Sequence, residues 1–119
     1  MEKVNVLEKL SLFSDHWNPK IVGELNGQQV KLVKFLGEFI WHLHEKEDEL
    51  FYVIKGKFKM QFRENEIEVG ENEFLIVPKG IEHRSFAEEE VSVMVFEPRT
   101  AVNTGNVDNE LTQRILDKL

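Results

Sequence analysis

The chain has 119 residues, of which 31% are charged and 41% hydrophobic, and its net charge is −7. This length predicts a single domain, residues 1–119, and the composition is that of an ordinary folded core. The negative charge and the lack of a basic stripe exclude a nucleic-acid-binding protein, because phosphate backbones are bound by clustered Lys and Arg. No apolar run is long enough to span a membrane, and the acidic N-terminus does not fit a signal peptide. We therefore expect a cytoplasmic protein.

The elements follow in chain order. Apolar residues at helical spacing predict a short helix within residues 2–13, and the segment Asp15–Pro19 ends it. From Ile21 to Phe96 the pattern has period two, with turn residues at intervals of roughly ten, which is typical of an all-β sandwich or barrel. A second short helix is predicted near Leu111–Leu119. The predicted strands, eight in number as in a jelly roll, are Gln29–Leu36, Glu38–His44, Glu49–Lys55, Lys57–Arg63, Glu66–Val69, Glu73–Val77, Glu82–Ala87 and Val91–Glu97, with Glu88–Glu90 as a hairpin loop.

Two histidines separated by one residue, His42 and His44, begin a candidate metal site. Period two directs both imidazoles to the same face of their strand. Glu49 begins the next apolar strand, and antiparallel pairing of the two strands brings its carboxylate beside the imidazoles. Asp48 is a rival ligand, but only one of the two acidic neighbours can face inward. The chain has no Cys, so a transition-metal site must use His, Asp or Glu.

A fourth candidate ligand, His83, follows a predicted sharp turn. Pro78 fixes φ at the start of this turn and Gly80 tolerates positive φ. His83 then begins the returning strand, where it can meet the other three side chains. Three imidazoles and one carboxylate suit Zn, Mn, Fe, Ni, Co or Cu, and they do not suit Ca or Mg. Coordination positions left open to water or substrate would indicate a reactive site more than a structural one.

The chain resembles the cupin superfamily at these residues. The first cupin motif is G-x5-H-x-H-x3,4-E-x6-G, and the second is G-x5-P-x-G-x2-H-x3-N. The first is matched by Gly37, His42, His44, Glu49 and Gly56, with one residue too few after Gly37, and the second by Gly70, Pro78, Gly80 and His83, with seven residues between Gly70 and Pro78 and with Ala87 in place of Asn. The spacing to Gly56 favours Glu49 over Asp48. The resemblance covers about residues 30–98.

The resemblance implies a double-stranded β-helix, the jelly-roll barrel of cupins, holding one divalent transition metal. The chain looks like small single-domain bacterial cupins described as mannose-6-phosphate isomerase-like. The resemblance thus implies a metal-dependent enzyme that acts on a small polar substrate such as a sugar. A metal-dependent dioxygenase and a non-catalytic small-ligand-binding cupin are the alternatives. For a phosphorylated substrate, Lys57, Lys59 and Arg63 are the candidate phosphate ligands, whereas Arg84 should point outward.

The remaining interpretations concern residues outside the site. His16 lies in a loop and is read as a surface or packing residue. Period two directs one apolar set out of the barrel, and these residues are Phe39, Trp41, Leu43, Leu50, Tyr52 and Ile54. So large an apolar patch is seldom left in water, so either the N-terminal helix and strand or a second subunit should cover it. Because small cupins commonly pair through such a face, we expect a homodimer.

Overall fold

A computed structural model of the chain describes all residues, 1–119, and consists almost entirely of antiparallel strands. One short helix precedes them, and it is too short to cross a membrane. Asn5 caps this helix, since its side chain accepts a hydrogen bond from Glu8 N. The elements are α1 (Val6–Leu10), β1 (Lys20–Leu25), β2 (Gln28–Glu38), β3 (Glu49–Lys55), β4 (Lys57–Gln61), β5 (Glu66–Gly70), β6 (Phe74–Val77) and β7 (Arg84–Pro98).

The long strand β7 joins the two halves of the jelly roll. It pairs with β2 along both halves of its length. On its other side, the first part of β7 pairs with β4 and the second part pairs with β3. The order across the main path is β1-β2-β7-β3-β6, and β5 extends the other side through β4. The sheet thereby curls around one interior, as the sequence predicts for an all-β barrel.

The core fills this interior with alternate residues of the strands. On β3, Glu49, Phe51 and Val53 are buried, and the residues between them are half-buried on the outer face. Alternation of this kind is what a strand with one face on the core requires. Twelve buried residues form the central cluster: Val33, Phe35, Phe51, Val53, Phe58, Met60, Val69, Val77, Ala87, Val91, Val93 and Val95.

The predicted strand Glu38–His44 does not form. Gly37 has a φ of +82°, and the pairing of β2 with β7 shifts register beside it. The chain leaves the sheet after this bulge, so period two no longer assigns its faces. Phe39, predicted to point outward, is buried and stacks on Trp17, with ring centroids 4.7 Å apart. Trp41 is half-buried beneath two arginines, so the predicted outward set is not one surface.

Two further predictions at the C-terminal side are wrong. The residues Glu88–Glu90 are not a hairpin loop but an exposed part of the continuous strand β7, where the register with β2 shifts. The helix near Leu111–Leu119 is absent. In its place, side chains such as Asn103 and Thr104 hydrogen-bond to the main chain of residues 107–113 and stabilise an irregular path.

The irregular C-terminal segment, residues 99–119, crosses from the barrel interior to the edge of the sheet. Thr104 is fully buried, and Gly105 packs against the backbone of Leu43. At the far end, Leu119 N donates to Ile21 O, and Ile21 N donates to Asp117 O, so the chain terminus lies against β1. The strand β1, which the sequence did not predict as a separate element, thus pairs with the C-terminal segment at Ile21.

Candidate metal centre

The four predicted ligands come together in the barrel. One ligand atom from each of the four side chains lies within 4.8 Å of the others, and all four residues are buried: His42, His44, Glu49 and His83. The Glu49 Oε1 atom lies 2.9 Å from His44 Nε2 and 3.3 Å from His83 Nε2. Asp48 is exposed instead, and its carboxylate accepts a hydrogen bond from Lys79 N. The structure thus places Glu49, and not Asp48, beside the imidazoles.

Main-chain hydrogen bonds hold the histidines in position. His42 N donates to His83 O over 3.0 Å, and His83 N donates to His42 O over 2.9 Å, so the two backbones form an isolated antiparallel bridge. Gly80 N, in the turn after Pro78, donates to His44 O over 2.7 Å. The bridge explains how His42 reaches the cluster although its segment is not a regular strand.

The same surroundings select the ring tautomer of two imidazoles. His42 Nδ1 lies 2.9 Å from Ile40 O, and His83 Nδ1 lies 2.8 Å from Ile81 O. A carbonyl oxygen only accepts, so each Nδ1 carries the proton and each Nε2 presents a lone pair to the cluster. Backbone carbonyls that orient ligating histidines in this way are typical of metal sites.

Several buried polar atoms of the cluster lack a hydrogen-bond partner. They are both ring nitrogens of His44, Glu49 Oε1 and His83 Nε2. Although Glu49 Oε1 is near two imidazoles, those contacts do not have hydrogen-bond geometry. Buried polar groups are nearly always paired, and unpaired ones mark a missing ion or a functional strain. Lone pairs that converge on one point are the arrangement that a metal ion satisfies, so the residues fit the predicted metal and could hold it.

The cluster shifts the pKa values of two of its members. Burial and, to a smaller extent, the neighbouring His83 lower the pKa of His42 to about 4. The hydrogen bond to Ile40 O acts in the opposite direction but does not offset them. Burial alone would raise the pKa of Glu49, but the neighbouring side chains of Glu97, His44 and His83 hold it well below its usual range. A neutral imidazole and an ionised carboxylate are the protonation states that bind metal.

Two inward charged residues that the sequence analysis missed lie behind Glu49. Lys31 Nζ is 2.6 Å from Glu97 Oε1, and both side chains are almost fully buried. Burial raises the pKa of Glu97 well above its usual range, and the charge of Glu49 adds to this. The sequence does carry a signal for both residues. Lys31 lies two positions before the inward residue Val33, and Glu97 lies two positions after the inward residue Val95, so strand alternation directs both side chains inward.

A third missed residue is Glu47. Its Oε1 atom lies 3.9 Å from His44 Nδ1, which is too long for a hydrogen bond, and its Oε2 atom accepts from Thr100 Oγ1. His16 lies elsewhere, where its Nε2 atom contacts Glu90 Oε2 at 2.7 Å. The interpretation of His16 as a residue outside the site therefore agrees with the structure.

A small cavity of about 40 Å³ lies beside His42 and Glu49. By volume it holds on the order of three water molecules. Its walls are mostly aromatic and aliphatic, and the lining residues include Trp17, Val33, Phe35, Phe39, Phe51 and Val95. Ser85, Glu97 and Asn103 are the other polar lining residues. A ligand bound next to the cluster would thus be largely shielded from water.

Comparison with known proteins agrees with this arrangement. The family model of the cupin domain (Cupin_2) matches residues 32–106. A cupin-2 domain containing protein from Shewanella frigidimarina has 43% sequence identity and a TM-score of 0.79, over 80% of this chain and 93% of that one. Protein NMB1881 from Neisseria meningitidis has 30% identity and a TM-score of 0.76, over 82% and 99% of the two chains.

Among curated sequences, the chain is similar to "Uncharacterized protein YdbB" from Bacillus subtilis (strain 168). The two are 40% identical over 65 residues, which is 54% of this chain. The match spans 58% of that relative's length. The family match covers more than half of the residues and includes all four clustered side chains. The chain belongs to the cupin domain family.

Proposed function

We propose that the chain binds one divalent transition metal ion through His42, His44, Glu49 and His83, and acts as a metal-dependent enzyme on a small polar molecule inside the barrel. The observation that carries the proposal is the set of buried, unpartnered ligand atoms that converge on one point. Burying such atoms without a partner costs roughly 1–3 kcal/mol for each group, and a bound ion removes that cost.

The donor set supports a transition metal. Imidazole nitrogens suit Zn, Mn, Fe, Ni, Co and Cu, whereas Ca and Mg prefer sites made only of oxygen. His42, His44, Glu49 and His83 would hold an ion of this class, and the chemistry that it would supply is polarisation of a carbonyl or hydroxyl oxygen of the substrate. The protein residues orient the ligands and exclude water. Ile40 O and Ile81 O fix the imidazoles of His42 and His83, and the apolar walls of the cavity shield the reacting atoms.

The charges around the cavity favour a substrate without a phosphate group. Lys31 is a buried cation of the barrel interior, and it pairs with Glu97. The three residues that the sequence offered as phosphate ligands are exposed or half-buried and pair with carboxylates of this chain. Lys57 pairs with Glu68, Lys59 with Glu66 and Arg63 with Glu82. We therefore propose an isomerase-like activity on an unphosphorylated sugar or a similar polyol, which departs from the mannose-6-phosphate comparison.

The size and the walls of the cavity support dioxygen chemistry as a second candidate. A cavity of about 40 Å³ lined by Val33, Phe35, Phe51 and Val95 can hold a small apolar molecule beside the predicted metal. Dioxygen is such a molecule, and a redox-active metal would be required for its use. The non-catalytic alternative is a cupin in which the metal only holds a small ligand.

Metal analysis of tag-free protein tests the site. Wild-type protein and the His16→Ala control should contain near-stoichiometric metal by inductively coupled plasma mass spectrometry. The double variant His42→Ala, His44→Ala should not. A wild-type protein that stays metal-free after reconstitution would refute the proposal.

A turnover experiment distinguishes the three candidate functions. The metal-loaded protein is incubated with unphosphorylated aldoses and ketoses, and products are followed by NMR, while an oxygen electrode records any dioxygen uptake. Isomerised sugar that requires His42 supports the first candidate, and dioxygen uptake with the same requirement supports the second. Ligand-induced thermal stabilisation without any product would leave the binding module as the function.

We also propose that the protein is a homodimer. Six side chains form the apolar outer face, which consists of two cross-strand rows on β6, β3 and β7. The rows are Ile76–Leu50–Phe96 and Phe74–Tyr52–Met94. Phe74 and Ile76 are 59% and 52% exposed. A contiguous exposed apolar face of this kind usually marks an interaction site, and a second copy of the chain carries the same face.

A further inference from the structure

A buried ion pair lies directly behind the candidate metal centre. The Lys31 side chain is 2% exposed and the Glu97 side chain 4%, with Nζ and Oε1 2.6 Å apart. Replacement of such a pair by apolar residues of similar volume is often neutral or stabilising, because desolvation of the two charges is costly. The same interior face carries Val33 and Val95, so an apolar pair would match its surroundings. Stability alone therefore does not account for the pair.

The pair makes contact with the centre through one carboxyl group. Glu97 follows Phe96 on β7, and Phe96 pairs with Leu50 of β3, so the Glu97 side chain lies across from that of Glu49. Both side chains are buried and line the same cavity. The Glu97 Oε2 atom is buried and has no hydrogen-bond partner. Lys31, Glu97 and Glu49 thus form one buried row of charged side chains that ends at a predicted metal ligand.

We propose that Lys31 and Glu97 are positioning residues that orient the Glu49 carboxylate toward the three imidazoles and so set the affinity and geometry of the metal site. This inference rests on the proposed metal site. Backbone carbonyls orient His42 and His83, whereas no backbone group does so for Glu49. Outer partners of a ligating carboxylate fix its orientation, and their loss typically weakens metal binding by roughly 10- to 100-fold.

The test uses a double variant, Lys31→Met with Glu97→Met, which replaces the buried ion pair by apolar side chains. Because the desolvation cost of both charges disappears, the metal-free double variant should unfold at a temperature no lower than that of the wild type. Its affinity for Co(II), measured by calorimetric titration of the full chain, should fall by roughly 10- to 100-fold. Its visible Co(II) absorption should also differ, since this absorption reports the coordination geometry.

Two single variants serve as controls. Glu97→Gln has the same length and presents an oxygen that can accept from Lys31 and an amide that can donate to Glu49, so it should keep the Co(II) affinity within a few-fold of the wild type and keep the wild-type spectrum. Gln29→Met changes the residue opposite Glu97 on β2, whose side chain contacts Glu24 instead, and should leave Co(II) binding unchanged.

Three outcomes overturn the proposal. The first is a double variant that binds Co(II) with wild-type affinity and spectrum. The second is a Glu97→Gln variant that folds but keeps neither the Co(II) affinity nor the Co(II) spectrum of the wild type. The third is a wild-type protein that does not bind Co(II) at all, which would overturn the metal site itself and this inference with it.

Discussion

Asn106 pairs with Leu43, the residue between His42 and His44, through its main-chain N and its side-chain Oδ1. Asn106 N donates to Leu43 O, and Asn106 Oδ1 accepts from Leu43 N, each over 3.0 Å. The C-terminal segment therefore hydrogen-bonds to both main-chain polar groups of Leu43, as a neighbouring strand would. Gly105 makes this approach possible, because a Cβ at that position would lie 2.2 Å from Leu43 O.

Substitution of Gly105 by Ala should destabilise the protein more than the same change at Gly27. Both glycines have positive φ, so each Ala pays the cost of a left-handed conformation, roughly 1–2 kcal/mol. Only Gly105 adds a steric conflict, since no atom lies within 4 Å of a Cβ built at Gly27. Urea unfolding of the two variants measures the difference. Equal losses in the free energy of unfolding would contradict the close contact with Leu43.

Added metal should stabilise the wild-type protein and not the variant with His42→Ala and His44→Ala. At a free metal concentration of about 100 times the Kd, binding to the folded state adds about 2.7 kcal/mol to the free energy of unfolding. Thermal unfolding with Zn, Mn or Co, and again after addition of a chelator, measures this. An identical shift in the double variant would mean that the metal binds elsewhere.

In the metal-free protein, His42 should contribute a loss of stability as the pH falls from 6.5 to about 4. Burial and the neighbouring His83 lower the pKa of His42 from 6.5 to about 4, so in this range the unfolded chain binds a proton that the folded chain does not. The free energy of unfolding then decreases with decreasing pH, by about 3 kcal/mol for this residue.

A His42→Asn variant isolates this contribution. The raised pKa of Glu97 acts in the opposite direction and the lowered pKa of Glu49 acts at the acidic end of the range, and both groups remain in the variant. Urea unfolding at pH 6.5 and 4.5 in the presence of a chelator should show a smaller pH dependence for the variant. Parallel pH profiles would show that His42 titrates normally.

A charge on the apolar outer face should dissociate the homodimer. Ile76→Glu places a carboxylate on the exposed β6 side of that face, where burial against a second copy would desolvate it. Sedimentation velocity should give a dimer for the wild type and a monomer for this variant. Ile115→Glu, at a residue that is 92% exposed elsewhere, is the matched control and should remain dimeric. A monomeric wild type would contradict the proposal.

The sequence predicts the regular strands well because their signals are local. The bounds of β3, Glu49–Lys55, agree with the prediction, since strict alternation ends at Gly56. The predicted strand Glu38–His44 is wrong because the bulge at Gly37 changes which side chains face inward. The histidines of that segment still reach the cluster, since pairing with His83 and Gly80 positions them. Alternation therefore predicted that these two imidazoles lie together, although the strand on which the prediction rested does not form.

The parts of the site that escaped prediction depend on contacts between distant residues. Lys31 and Glu97 are 66 positions apart, and nothing in either segment alone specifies that they meet. The sequence predicts a loop at Glu88–Glu90 because exposed acidic residues occur both in hairpin loops and in bulged strands, and here they belong to β7. The C-terminal segment shows helical spacing, but its hydrogen bonds with the barrel replace those of a helix.

The backbone bridge between His42 and His83 has a consequence for metal exchange. Main-chain hydrogen bonds join the segments that carry these two side chains. The cost of assembling these ligands is thus met when the chain folds, and an ion that binds would enter a site that is already arranged. We therefore expect a chelator to remove a bound metal, and a different metal to replace it, while the barrel stays closed.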